Sequence, residues 1–185
     1  VTGSSSRYPY GCVLADQQKL ADNRRVELRV GRVKTVQRHP EADALYISEV
    51  DVGDEELRTV VSGLAEHMSL DELSDRLVTV VCNLKPAKMR GVASNGMLLC
   101  AKQESVVELV EPPASAAVGE RITLEGLEDP QPDQVLKTDG QQKVWKRFVA
   151  ELKTNDRLEA TFGENRFVTS AGPCVVASLA DSPIG

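Results

Sequence analysis

At 185 residues, 41% hydrophobic and 27% charged, the chain is long enough for one sizeable domain or two small ones with an ordinary core. No apolar run approaches the ~18 residues of a membrane-spanning helix, and no secretory apolar core is present. The formal charge of −6 argues against a generic, uniformly basic nucleic-acid binder.

Taken in order, residues 1–23 read as a linker or cloning-derived segment with one helical turn at most, ahead of the folded part. The chain starts at Val1, without an initiator Met, and reads as a fragment of a longer polypeptide. Val26 to Val36 alternates apolar and charged residues, the period of a half-buried strand. Its phase changes after Gly31, where a bulge or bend is expected to let Arg29, Arg32 and Lys34 share the outer face. His39-Pro40-Glu41-Ala42-Asp43 is a turn, with His39 expected to stabilise it. Leu45–Val52 and Arg58–Ser62 are the second and third strands. Ser69 and Glu72 have capping-box spacing and predict a short helix ending near Arg76. Leu77–Leu84 and Gly96–Ala101 complete five strands, with the helix between the third and fourth. That is the order of an OB-fold barrel, expected over residues 24–103. Residues 104–185 predict a small α+β unit: a strand at Val118–Leu124, a helix at Gln141–Leu152, a hairpin around Gly163-Glu164-Asn165 and a last strand at Cys174–Ala177. Such a unit is too small to hold much core alone and must pack on the barrel.

Charge is segregated along the chain. Arg24 to Arg38 holds six basic residues and one acidic; Glu41 to Asp75 holds eleven acidic and one basic. Arg76 to Gln103 holds five basic and no acidic residues, and Glu104 to Val135 eight acidic and one basic. Such blocks can fold into one positive face on an acidic body, or scatter. The densest basic stretch is Asn83 to Met97 (NLKPAKMRGVASNGM), with Lys85, Lys88 and Arg90 inside six residues. Pro86 and Gly91 make it an exposed loop between strands. Its cations can grip phosphates, Arg as a planar fork and Lys as a mobile point charge, or simply be solvated.

Asn83 and Ser94 can donate to phosphate or sugar, or cap the local turn. Met89 and Met97 can touch sugar or base edges, and Met97 equally suits a core. Lys143, Lys146 and Arg147 either extend the basic face or form a solvated helix face. Aromatics are only 4% and none lies in the basic stretch, which favours reading a folded RNA's shape over stacking on splayed bases. Cys12, Cys82, Cys100 and Cys174 lack metal-ligand spacing and read as small apolar residues of a reducing, cytoplasmic compartment. No nucleotide-phosphate loop and no nucleophile elbow is present, so neither a catalytic residue, a metal nor a cofactor is expected.

The stretches RVGRVKTVQRHPEADALYISEVDVG (29–53), RTVVSGL (58–64) and CNLKPAKMRGVASNGMLLCA (82–101) together resemble the EMAPII-like tRNA-binding domain. AVGERIT, KVWKRF, LKTNDRLEATF and GPCVVA resemble that family's C-terminal extension. The resemblance implies an OB-fold barrel plus a C-terminal subdomain that mimics a dimer interface, so that a monomer behaves as a pseudo-dimer. It implies structure-directed, largely sequence-independent tRNA binding in cis or trans to aminoacyl-tRNA synthetases, without catalysis by the module itself. A docking domain of a multi-synthetase complex with weak or no tRNA binding is the alternative. The site implied is Arg29, Arg32, Lys34, Asn83, Lys85, Lys88, Met89, Arg90, Ser94 and Met97. The negative net charge departs from basic relatives, and RVGRVKT only partly matches a cytokine-associated motif of the family.

Overall fold

The computed structural model describes residues 22–127 and 129–185; the expected linker turn and Cys12 lie outside the described residues. The first unit is built from β1 (Leu28–His39), β2 (Ala42–Asp51), β3 (Arg58–Ser62), the one-turn helix α1 (Leu70–Leu73) and β4 (Leu77–Val81). β5 (Ala87–Met89) and β6 (Val92–Ser94) form a hairpin that leads into β7 (Met97–Leu98). One antiparallel sheet runs in the order β3-β2-β1-β4-β7. Residues Val33, Val50, Val60, Leu73 and Val80 fill its interior.

β1 is the hub because it pairs on both sides, with β2 and with β4. Gly31 faces inward at its middle. A Cβ there would sit 2.7 Å from Val80 Cγ2 and 2.9 Å from Val50 Cγ1, so only glycine lets the flanking strands close over it. The register slip itself falls between Val33 and Thr35, placing the bulge at Lys34 and not at Gly31. α1 is capped as its spacing predicts: Ser69 Oγ accepts from the Glu72 N–H at 3.2 Å, and Glu72 Oε2 accepts from the Ser69 N–H at 2.7 Å. No ladder joins β3 to β7. The edge of β3 is bridged to the β6–β7 connection by the Asn95 N–H donating to the Thr59 carbonyl at 2.8 Å.

The expected fifth strand divides into β7 and β8 (Cys100–Gln103), which forms a hairpin with β9 (Val106–Leu109). Then come β10 (Thr123–Leu124), the helix α2 (Asp139–Ala150), β11 (Leu152–Thr154), β12 (Ala160–Phe162), β13 (Asn165–Thr169) and β14 (Gly172–Pro173). Thr138 and Gln141 form a second capping box, at the start of α2. β10, β13, β12 and β11 make a small sheet, with β14 on the edge of β13. In place of the strand expected over residues 174–177, Val175 makes isolated bridges to Glu111 and Glu159.

One hydrophobic cluster runs from Val30 and Val81 of the first sheet and Leu99, between β7 and β8, to Phe148, Phe162 and Phe167 of the second unit. Phe148 stacks on Phe162 with ring centroids 5.0 Å apart and on Phe167 at 6.5 Å. The C-terminal unit therefore shares its core with the first sheet, as its small size demands.

Candidate nucleic-acid interface

The basic stretch is fixed at its root before it reaches solvent. Asn83 is buried, and every polar atom of its amide is used within the protein. Its Oδ1 accepts from the Glu27 N–H at 2.9 Å, while its Nδ2 donates to the carbonyls of Arg25 at 2.7 Å and Asp133 at 2.8 Å. Leu84 forms a bridge with Leu136, and the Leu136 N–H donates to the Asn83 carbonyl at 2.7 Å. Asp133 also takes the Arg25 fork, Nε at 3.1 Å and Nη2 at 2.7 Å. These bonds tie the root of the loop to the C-terminal unit.

Past the root, the stretch expected as an exposed loop between strands is itself a hairpin. Arg90 at φ +50° and Gly91 at φ +87° are its two turn residues, between the Met89–Val92 pair. Positive φ at both positions defines a type I′ turn, whose twist matches the strands it joins. Two further contacts pin the hairpin. His39 is buried; its Nδ1 accepts from the Glu41 N–H at 3.0 Å, so the other nitrogen carries the proton, and Nε2 lies 3.1 Å from the Met89 carbonyl. His39 thus stabilises its turn, as expected, and also clasps β5. Ser94 Oγ accepts from the Val61 N–H at 2.9 Å and donates to the Gly96 carbonyl at 3.0 Å. Asn83 and Ser94 therefore position the hairpin; their side chains face the protein and not solvent.

What the hairpin presents is cationic. Lys85, Lys88 and Arg90 are exposed and carry no ion pair among the described residues. Beneath it lies a groove of about 460 Å³, lined among others by Lys85, Ala87, Met89, Met97 and Lys102, with His67 and Glu104 also at its wall. Strand alternation sends Ala87 and Met89 to the groove and Lys88 to the opposite face of the hairpin. Lys102, which sequence reasoning did not single out because it lies outside the basic stretch, is part of the groove as well.

The β1 cations stand differently. Arg29 is half-buried between Glu27 Oε1 at 2.7 Å and Asp54 Oδ1 at 2.9 Å. Arg121 on Glu27 and Arg58 on Asp54 extend this into an alternating chain of charges. Partial burial works against the Asp54 carboxylate, but hydrogen bonds and charge from Arg58 and Arg29 outweigh it and hold its pKa below the usual value. Arg32 pairs with Asp75 Oδ1 at 3.1 Å, and Lys34 is exposed at the bulge. None of these three lines the groove. Of the three β1 cations, Arg29 and Arg32 are paired with carboxylates, and Lys34 is exposed without an ion pair among the described residues. Glu27, two residues before Arg29, and Asp54 and Asp75, distant in sequence, take up the two β1 guanidiniums.

The described cysteines are buried and free, and burial pushes the Cys82 thiol up to about 11 and those of Cys100 and Cys174 up to about 12. Among the described residues, no cluster of His, Cys, Asp and Glu has the geometry to hold a metal ion, and no helix is long and apolar enough to cross a membrane.

The family model described as "Putative tRNA binding domain" matches residues 28–121. The chain is similar to the cytoplasmic methionine–tRNA ligase of Arabidopsis thaliana, 47% identical over 162 residues, which are 86% of this chain and 20% of that protein. It is similar to aminoacyl tRNA synthase complex-interacting multifunctional protein 1 of Cricetulus griseus, 42% identical over 90% of this chain and 46% of that one. Among solved structures, the C-terminal domain of Plasmodium vivax p43 superposes with a TM-score of 0.82 at 31% identity, covering 87% of this chain and 97% of the other. The chain thus spans a fifth to under a half of the length of these two curated relatives.

Proposed function

The chain belongs to the tRNA binding domain family, and from that premise we propose that it is a non-catalytic module that grips tRNA on the β5–β6 hairpin and the groove beneath it. We read the first sheet as an OB-type barrel over residues 24–103 and residues 104–185 as the family's C-terminal subdomain. The observation that carries the reading is the set of cations Lys85, Lys88 and Arg90, without an ion pair among the described residues, on a hairpin whose root is rigidly bonded. Cations on a fixed frame can meet a phosphate backbone without ordering the loop first. Met89 and Met97 line the groove, where they can touch sugar or base edges. Recognition is then of backbone and shape, with little preference among tRNAs.

In this reading the module works as a monomer in the cytoplasm, appended to an aminoacyl-tRNA synthetase or held in a complex with several. It raises the tRNA concentration near the catalytic domain by tethering. A mobility shift of unfractionated tRNA across a salt series tests this. Neutralising about five phosphates gives a slope of log K against log salt of roughly −3.5 to −4.5. No shift at about 50 mM salt, or a slope near zero, defeats the reading.

A second reading has its own support. The net charge is −6 and the guanidiniums of Arg29 and Arg32 on β1 are paired with carboxylates, which suits docking of proteins over RNA. A defeated salt test would leave that account in place.

A further inference from the structure

The root of the basic stretch has a second side. The Leu84–Leu136 bridge brings α2 against it, and a cavity of about 430 Å³ lies between them. Lys85, Pro86, Leu136, Gln142, Trp145 and Lys146 are among its walls. Lys85 therefore lines both this cavity and the groove under the hairpin, which makes the two neighbours on either flank of one lysine. Trp145 is half-buried: it packs on the shared core, 6.0 Å from the Phe148 ring centroid, and also walls the cavity. Its indole N–H has no hydrogen-bond partner among the described residues. Lys85 and Lys146 carry no ion pair there, and no carboxylate lines the cavity.

We propose that this cavity takes one unpaired nucleotide of the bound tRNA, its base stacked on Trp145 and its flanking phosphates at Lys85 and Lys146. An aromatic face between two unneutralised ammonium groups is the chemistry of a single-strand subsite. An apolar peptide segment would use the indole but leave both cations without a partner. The proposal rests on the tRNA-binding reading and sharpens it: the module reads shape through the hairpin and takes one splayed base beside it.

The chain holds a single tryptophan, so its emission reports on Trp145 alone. Titrating the whole chain with unfractionated tRNA at low salt is expected to quench that emission along the curve given by mobility shift. A blunt RNA duplex is expected to shift without quenching. Trp145→Leu is expected to weaken tRNA by about 5- to 100-fold, and Trp145→Phe by no more than about threefold. A tRNA shift with unchanged emission, or undiminished binding by Trp145→Leu, overturns the subsite and leaves the hairpin reading intact. Where Trp145→Leu does not fold, the emission of the unaltered chain decides by itself. No shift of any RNA defeats both.

Discussion

Two regions of this molecule carry similar runs of basic residues and end in opposite electrostatic states. Along β1, Arg29 and Arg32 lie within reach of Glu27, Asp54 and Asp75, and each guanidinium is paired. On the β5–β6 hairpin, Lys85, Lys88 and Arg90 meet no carboxylate among the described residues. The first set is spent on holding strands and turns together; the second is left for a ligand. The difference lies in what the fold brings up to each cation. β1 is the hub of the sheet and meets Glu27 beside it and Asp54 and Asp75 from farther along the chain, whereas β5 and β6 pair only with each other.

The sharpest way to break the comparison is at the root of the hairpin, because there geometry and charge separate. Asn83→Ala removes no charge, yet leaves the Glu27 N–H and the Asp133 carbonyl without the partners they now have. With several buried bonds lost together, the expected destabilisation is about 2–4 kcal/mol by urea unfolding. A loss under about 0.5 kcal/mol would mean the loop is not clamped through this amide. Next in size is an exchange of roles between the two regions. Replacing Lys85, Lys88 and Arg90 together by Ala is expected to weaken all tRNAs alike by about 10- to 100-fold, with stability unchanged. Replacing Arg29 and Arg32 by Ala is expected to do the reverse: about 1–2 kcal/mol of stability lost and tRNA affinity within about threefold. If the β1 pair proves the stronger determinant of binding, the division drawn between the two regions is wrong.

Much of the frame was legible because it rests on local signals. Period-2 alternation marked β1, the Arg58–Ser62 strand agrees residue for residue with β3, and Ser69 with Glu72 announced α1. The helix expected over Gln141–Leu152 lies at Asp139–Ala150, with Leu152 passing into β11, and its Phe148 does reach the core. The hairpin was legible as a basic loop but not as a hairpin. Arg-Gly is a poor signature for a type I′ turn, and strands of three residues, Ala87 to Met89 and Val92 to Ser94, are too short for a period of two to betray them. Asn83 read as a possible phosphate donor because its partners, Arg25, Glu27 and Asp133, lie dozens of residues away. The same holds for Lys102 and Trp145, whose places beside the hairpin depend on chain crossings that composition does not encode.

The smallest effect is the one that separates the charge of the hairpin from its shape. Arg90 pays for its position with a left-handed backbone, φ +50°, which glycine adopts without strain. Arg90→Gly therefore removes one cation while relaxing the turn, and stability is expected to stay within about 1 kcal/mol of the parent. If phosphates are neutralised one cation at a time, tRNA affinity falls about two- to threefold and the salt slope loses roughly 0.7 to 0.9. Gly91→Ala is the complement: it keeps every charge but forces a Cβ onto φ +87°. Its slope should be unchanged, and any loss of affinity must come from the altered hairpin. Measuring both slopes decides whether the hairpin binds as a set of charges or as a shaped edge. An unchanged slope for Arg90→Gly would take Arg90 out of the contact surface and leave binding there to Lys85 and Lys88.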